Sequence, residues 1–560
     1  MLLHKFLERT EFDSYEDFKQ NYKLKIPENF NFGYDVVDAW ADYDKNKVAL
    51  VWCDDHDHEK VFTFYDMKRL SNQAANLFKQ LGIKKSDRVL MILRRRFEYW
   101  ICAVALHKIG AILIPASLQL TAKDIRYRNN AAEVKMIVAV NDPYIIEQVE
   151  QAEPDSKTLQ KKVIVNGERD GWISFDQGME GQSDVFERPT GDEATHNDEI
   201  FLTYFTSGTT GMPKMVAHNH IHPLGHIVTA KYWQKVIDGK LHMTVSDSGW
   251  AKFGWGKIYG QWIAGAGVFA YDMDKFVPHN LLEKLIKYKP ATFCAPPTIF
   301  RFLIQEDLSK YDLSFITHCC TAGEPLNPEV YNKWLQLTGL SMCEGFGQSE
   351  STVLLANFDG FTPIPGSMGK PSPLYNIDII DEEGNSCGAG EEGELVVRDI
   401  DKYMPTGLVV ALLNDPEGTK KKLDGKFYHT GDIAWRDSKG YYWFVGRTDD
   451  VIKCSGYRIG PFEVESALME HPAVLECAIT AAPDPIRGQV VKATIVLTRN
   501  YSPSDELIRE LQNHVKHATA PYKYPRIVEF VDELPKTTSG KIRRVEIREN
   551  DHKKHDSTQH

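Results

Sequence analysis

TSGTTGMPK, residues 206–214, follows directly on the strand-like run IFLTYF (200–205), and its reading decides the rest of the chain. Small hydroxyl residues and glycines let backbone N–H groups approach polyphosphate oxygens, and Lys214 adds a point charge. The stretch is not a Walker A loop. Pro213 stands where the second glycine should precede the lysine, and no Ser or Thr follows Lys214. Taken alone it is either a Gly/Thr-rich surface turn or a phosphate cradle.

Outward from this loop, short apolar runs alternate with amphipathic segments. Leu70, Ala74, Leu77, Phe78 and Leu81 keep helical spacing before Gly82, which stands where a C-terminal cap belongs. Strand-like runs follow at 89–93, 136–140 and 162–165. The most apolar stretch, 100–116, contains His107, Lys108 and Gly110 and stops at Pro115, so it reads as a buried helix and then a strand, not a membrane span. Helix and strand in alternation predict α/β architecture with buried sheets.

After about Pro365, Gly-rich turns separate short strands at 377–380 and 394–398, with a hairpin across Asp437-Ser-Lys-Gly440. This predicts a small β-subdomain on the large domain. Near Arg447 another unit begins, with a helix at 462–469, strands at 476–480 and 490–497 and a helix at 505–517. The expected organisation is a large domain, 1–447, of two sheets with helices and the β-subdomain, followed by a small, mobile α/β domain, 448–560.

Of the 560 residues, 66 are Lys or Arg and 78 are Asp or Glu, a net charge of −12 that argues against a duplex nucleic-acid partner. A hydrophobic share of 42% is enough for a large core, which excludes general disorder. Nine cysteines without a CxxC fit reduced thiols better than a disulfide frame or a zinc site, and the Cys319–Cys320 pair reads as core packing. Glu8, Glu11 and Asp13 stand where a signal or transit peptide would be apolar or basic, so a cytoplasmic location is expected. Arg94–Arg96 read as surface charge and the polar tail from Asn550 as frayed, its histidines without metal-site spacing.

The order of motifs chooses between the readings of the loop. TSGTTGMPK is followed by AGEP (322–325), EGFGQSE (344–350), YHTGD (428–432), GRTDDVIKCSGYRIGPFEVE (446–465) and PKTTSGKIRR (535–544). This series resembles the adenylate-forming superfamily of acyl-CoA synthetases, peptide-synthetase adenylation domains and beetle luciferases, over about residues 30 to 545. The segment 246–271, SDSGWAKFGWGKIYGQWIAGAGVFAY, looks most like the medium-chain acyl-CoA synthetases.

The resemblance implies ATP-dependent ligation of a carboxylic acid to CoA through an acyl-adenylate, with ATP and CoA as co-substrates. It assigns Thr206, Ser207, Gly208, Thr209, Thr210, Gly211 and Lys214 to the β- and γ-phosphates. Gly323, Glu324 and Pro325, with Glu344, Gly345, Phe346, Gly347, Gln348 and Ser349, would line the adenine and α-phosphate. Glu350 would hold Mg²⁺, a hard cation suited to a carboxylate and phosphate oxygens. Asp432 would accept the two ribose hydroxyls, assisted by Arg447. Lys541 would be the catalytic lysine, bridging substrate carboxylate and α-phosphate from a flexible turn, and Asp449 the hinge about which the small domain swings. CoA would meet Gln119, Ser455, Gly456, Tyr457, Arg458, Arg487 and Lys516.

For the acyl group, Trp250, Lys252 and Trp255 are candidate walls or core residues. Gly347 replaces a tryptophan of acetate-specific relatives and is expected to leave room for a medium-chain, branched or aromatic acid. Alternatives are an adenylation enzyme loading a carrier protein, a short-chain acetyl or propionyl ligase, a luciferase-like oxygenase, and a nucleotide-binding regulator without catalysis. No carrier-like domain follows Lys541. Self-association is left open.

Overall fold

Thr63 opens the first long helix. Its hydroxyl accepts from the Asp66 N–H at 3.1 Å, and the Asp66 carboxylate accepts the Thr63 N–H at 2.9 Å, a reciprocal cap that starts Phe64–Gln80. The apolar stretch resolves into Glu98–Ile109, buried on every side, and the strand Ile112–Pro115. Total burial explains why that helix shows no polar face. The computed structural model describes residues 2–558 apart from 207–211, 359, 361, 455–456, 485–487 and 537–540, with the backbone alone at 488 and 552–558.

Two sheets build the large domain. The eight-stranded sheet runs Ala411–Leu413, Lys214–Asn219, Ile200–Thr206, Ile112–Pro115, Arg88–Ile92, Met136–Val140, Lys161–Val165, Ile173–Ser174. It is parallel from Ile200–Thr206 onward and antiparallel at the other edge. The thirteen-stranded sheet has a parallel centre from Val48–Asp54 through Gly267–Asp272, Leu241–Thr244, Thr292–Ala295 and His318–Thr321 to Met342–Phe346. The β-rich stretch after 365 does not stand apart. Its strands Ser367–Pro371, Tyr442–Arg447, Phe427–Arg436, Glu392–Arg398 and Ile377–Ile380 extend the same ladder in antiparallel pairs.

The C-terminal unit has a five-stranded sheet around the long pair Val474–Asp484 and Gly488–Leu497, with the helices Pro461–Met469, Asp505–Ala518 and Arg544–Thr558. Its core, with Ile452, Leu468, Ile479, Ile495 and Leu511, is separate from the main one. All nine cysteines are unpaired and buried, Cys319 and Cys320 fully. Among the described residues no helix is long and apolar enough to cross a membrane.

Two expectations are corrected. The tail from Asn550 is not frayed at its start: Arg544–Thr558 is helical, and Asp551 pairs with the ammonium of buried Lys492, which also bonds Glu529 at 2.6 Å. A lysine with 5% of its side chain exposed requires such counter-charges. Nor are Arg94–Arg96 solvated surface charges. Arg94 bonds Asp272 at 3.1 Å and Asp274 at 2.7 Å, Arg95 bonds Asp247 at 3.2 Å, and Arg96 bonds Glu98 at 2.8 Å. Arg94 and Arg96 edge a cavity of about 370 Å³ at the carboxyl ends of Arg88–Ile92, Met136–Val140 and Lys161–Val165, also lined by Asn141 and Asn166.

Candidate active site

The expected phosphate loop joins two antiparallel strands, with Thr206 and Lys214 directly opposite in register. No helix follows it, unlike a Walker A loop. Ser207, Gly208, Thr209, Thr210 and Gly211 lie outside the described residues. Lys214 stands 3.5 Å from Asp415, the capping residue of helix Pro416–Lys422.

AGEP and EGFGQSE are tied together. Glu344, on Met342–Phe346, accepts the Leu326 N–H at 3.2 Å through one carboxylate oxygen, while the other has no partner among the described residues. Burial pushes the Glu344 carboxyl up to about 8, so it is protonated at neutral pH. Gly323 turns the chain with φ +108° and sets Glu324 toward the cleft. Beside Pro325, Glu324 accepts the Thr298 N–H at 2.9 Å and meets Arg301 at 3.4 Å. Burial would raise its carboxyl, but Arg301 and the Thr298 bonds outweigh it and hold Glu324 below the usual range.

Asp432 and Arg447 face each other across the hairpin that turns at Asp437–Gly440, in register and 3.4 Å apart. Gln348 donates to Asp432 at 2.6 Å and to the Thr430 carbonyl at 2.9 Å, and Tyr428 donates to Gln348. Burial pushes Asp432 up, against the pull of Arg447 and Lys422. Ser349 offers its carbonyl to His218 at 2.8 Å. Next to it, the Glu350 carboxylate has no hydrogen-bond or ion-pair partner among the described residues. Among the described residues no group of three or more His, Cys, Asp or Glu side chains could cage a metal. A single free carboxylate fits Mg²⁺ that arrives on phosphate oxygens and keeps water ligands.

The small domain reaches into this cleft. Lys541 lies where crowding by protein lowers its pKa, against the attraction of Glu324, Asp432 and Glu350. Lys252, on helix Ala251–Lys257, donates to the Ala322 carbonyl at 2.6 Å; burial lowers its pKa, against the attraction of Cys294 and Glu324. Asp449 lies in the turn after Tyr442–Arg447, 3.7 Å from Arg447.

The described residues expected at CoA have other partners in this arrangement. Arg458 pairs with Glu382 of the large domain, Tyr457 stacks on Tyr522 at 4.2 Å, and the Lys516 ammonium lies 4.2 Å over Tyr524. Among the described residues no hydrogen bond or ion pair joins Gln119 to them, and Ser455, Gly456 and Arg487 lie outside the described residues.

At the expected acyl wall, Trp250 is half-buried at the start of helix Ala251–Lys257 and Trp255 is buried. The expectation that Gly347 leaves open room is corrected. The Trp255 indole already occupies the space that a Cβ at Gly347 would need, and Trp233 does the same at Gly345. The two indoles meet edge to face at 6.2 Å. Glycine stands at these positions because the strand passes under tryptophans. Sequence reasoning missed Thr298, Arg301, Trp233 and Lys422. All four lie in stretches without a motif.

The comparisons agree with this geometry. The model of the AMP-binding enzyme family matches residues 37–402, and that of the AMP-binding enzyme C-terminal domain matches 463–541. The chain is 43% identical over 552 residues to human "Acyl-coenzyme A synthetase ACSM3, mitochondrial", covering 97% of this chain and 93% of that protein. It is 43% identical over 535 residues to human "Acyl-coenzyme A synthetase ACSM4, mitochondrial", covering 94% and 91%. Among solved structures, the anthranilate CoA ligase AuaEII in complex with anthranoyl-AMP superposes with a TM-score of 0.87 at 28% identity, covering 95% of this chain and 99% of that one. A benzoate CoA ligase from Burkholderia xenovorans LB400 gives 0.81 at 25% identity, covering 93% and 100%. With two domain models matched in order and relatives aligned almost end to end, the chain belongs to the AMP-binding enzyme family, within the adenylate-forming superfamily.

Proposed function

We propose that this chain joins a carboxylic acid to CoA in two steps through an acyl-adenylate, releasing pyrophosphate and then AMP. The supporting observation is the meeting of Lys541, from the small domain, with the field of Glu324, Asp432 and Glu350 of the large one.

In the first step a substrate carboxylate oxygen attacks the α-phosphorus of ATP in line with the leaving pyrophosphate. No protein nucleophile is needed; positioning and fixed positive charge lower the barrier. Lys541 bridges carboxylate and α-phosphate, Asp432 accepts the ribose hydroxyls and Arg447 keeps that carboxylate charged. Thr206 to Lys214 embrace the outer phosphates. Mg²⁺, when bound, neutralises phosphate oxygens, and Glu350 is the residue that would hold it.

The small domain, which we delimit as 448–560, then turns about Asp449, withdraws Lys541 and brings Ser455 to Arg458, Arg487 and Lys516 toward Gln119. The CoA thiol, as thiolate, attacks the acyl carbonyl and AMP leaves. The Arg458–Glu382 pair has to break for this turn. The acid we propose is medium-chain, branched or aromatic, bounded by Trp255 rather than by an open floor at Gly347. We propose a cytoplasmic location, whereas the relatives' names say mitochondrial; cell fractionation decides it.

The test is ATP–pyrophosphate exchange across acids from acetate to octanoate, with 2-methylbutyrate and benzoate, followed by thioester formation with and without CoA. Exchange with acid alone and thioester only with CoA is the expected result. Exchange with no acid on the panel would refute the reading.

A further inference from the structure

Lys422 ends helix Pro416–Lys422, whose first residue follows Asp415, the partner of Lys214. The helix thus runs from the exit of the phosphate loop to the back of YHTGD. There the Lys422 ammonium donates to the carbonyls of His429 and Thr430, 3.1 Å from each, and lies 5.4 Å over the Tyr428 ring. The Thr430 carbonyl also accepts from Gln348 at 2.9 Å, so both its lone pairs are occupied and the turn before Asp432 is gripped from two sides. Burial works against the Lys422 charge, and Glu350, Asp432 and Glu394 attract it while Arg447 repels it.

We propose that Lys422 is a positioning residue of the nucleotide site, which fixes the Thr430–Gly431–Asp432 turn and brings a positive charge beside Asp432 and Glu350. The proposal rests on the reading of this cleft as a nucleotide site. A buried carboxylate tends to take up a proton, and a protonated Asp432 is a poorer acceptor for two ribose hydroxyls. Arg447 answers this from the open side of the hairpin. Lys422 answers it from the closed side, where it is anchored to backbone and does not depend on the small domain.

Lys422→Gln keeps donors for the carbonyls and loses the charge, Lys422→Met loses both, and Lys422→Arg keeps both. Binding of Mg·ATP to the full-length protein without acid or CoA is measured by calorimetry, alongside KM for ATP, acid and CoA and a thermal melt. For Lys422→Gln the expected result is binding weakened about tenfold, the scale of one charge-assisted contact. KM for ATP rises with it, KM for acid and CoA stay put, and the melt is near wild type. Lys422→Met falls further and Lys422→Arg recovers most of the loss. Folded Lys422→Gln and Lys422→Met that bind Mg·ATP as tightly as wild type overturn the proposal. So does an equal rise in all three KM values with a lowered melt, which marks a structural role only. Wild-type protein that binds no Mg·ATP overturns the reading of the cleft as well, so the two failures are told apart.

Discussion

The indole of Trp255 closes over Gly347 so tightly that even a methyl group at that position would overlap it, with the Thr352 carbonyl only 2.8 Å from the same point. The bulk expected to be missing at 347 is therefore supplied by a residue 92 positions earlier. In the proposed acyl pocket, control of chain length would then belong to the pair.

Trp255→Ala should lengthen the acyl channel and favour longer acids. Each additional methylene accommodated in an apolar pocket is worth about 1–3 kcal/mol, so kcat/KM for octanoate relative to butyrate should rise tenfold or more. Gly347→Trp alone should lose activity on every acid, because two indoles compete for one space. The double change Gly347→Trp with Trp255→Ala should recover activity on acetate and propionate. An unchanged rank order of acids in folded Trp255→Ala would show that this indole does not bound the channel.

Lys541→Ala separates the half-reactions. Adenylate formation should fall by several orders of magnitude, while thioester synthesis from supplied acyl-AMP should stay near wild type, since in the proposed cycle the lysine leaves the cleft before that step. Stopped assays of both half-reactions on the same preparation decide it. Equal loss of both would remove Lys541 from its assigned role.

Asp449→Pro fixes φ near −65° in the turn after Tyr442–Arg447, and also removes the carboxylate 3.7 Å from Arg447. Pyrophosphate exchange should persist and CoA-dependent turnover should drop at least tenfold, the mark of a blocked rotation. Asp449→Ala, which loses only the carboxylate, controls for the ion pair. Normal turnover in Asp449→Pro would place the pivot elsewhere.

His429 sits between Glu394, at 2.9 Å, and Asp424, at 3.1 Å. The Glu394 bond first, then that of Asp424, pushes its pKa up to about 9, against the cost of burial. Because the folded value lies above the unfolded one near 6.5, its stabilisation is complete below about pH 6.5 and is lost as pH rises through 9. His429→Gln should therefore lower Tm most at pH 6 and scarcely at pH 10. Melts at both pH values test this, and an equal loss at each would contradict the charged state.

Much of this protein was legible along the chain. Alternating helix and strand, the order of the motifs and the hairpin that sets Arg447 opposite Asp432 are local facts. They follow from backbone periodicity and from one turn at Asp437–Gly440, and need no knowledge of distant partners. The tertiary structure alone decided what each isolated charge or glycine meets. Arg94 finds Asp272 across 178 residues, Lys492 finds Asp551 across 59, and Lys422 reaches the carbonyl of Thr430 behind Asp432. A lysine or arginine beside polar neighbours has the same local sequence whether water or a buried carboxylate surrounds it. Only folding, by removing the water, makes the distant counter-charge a requirement.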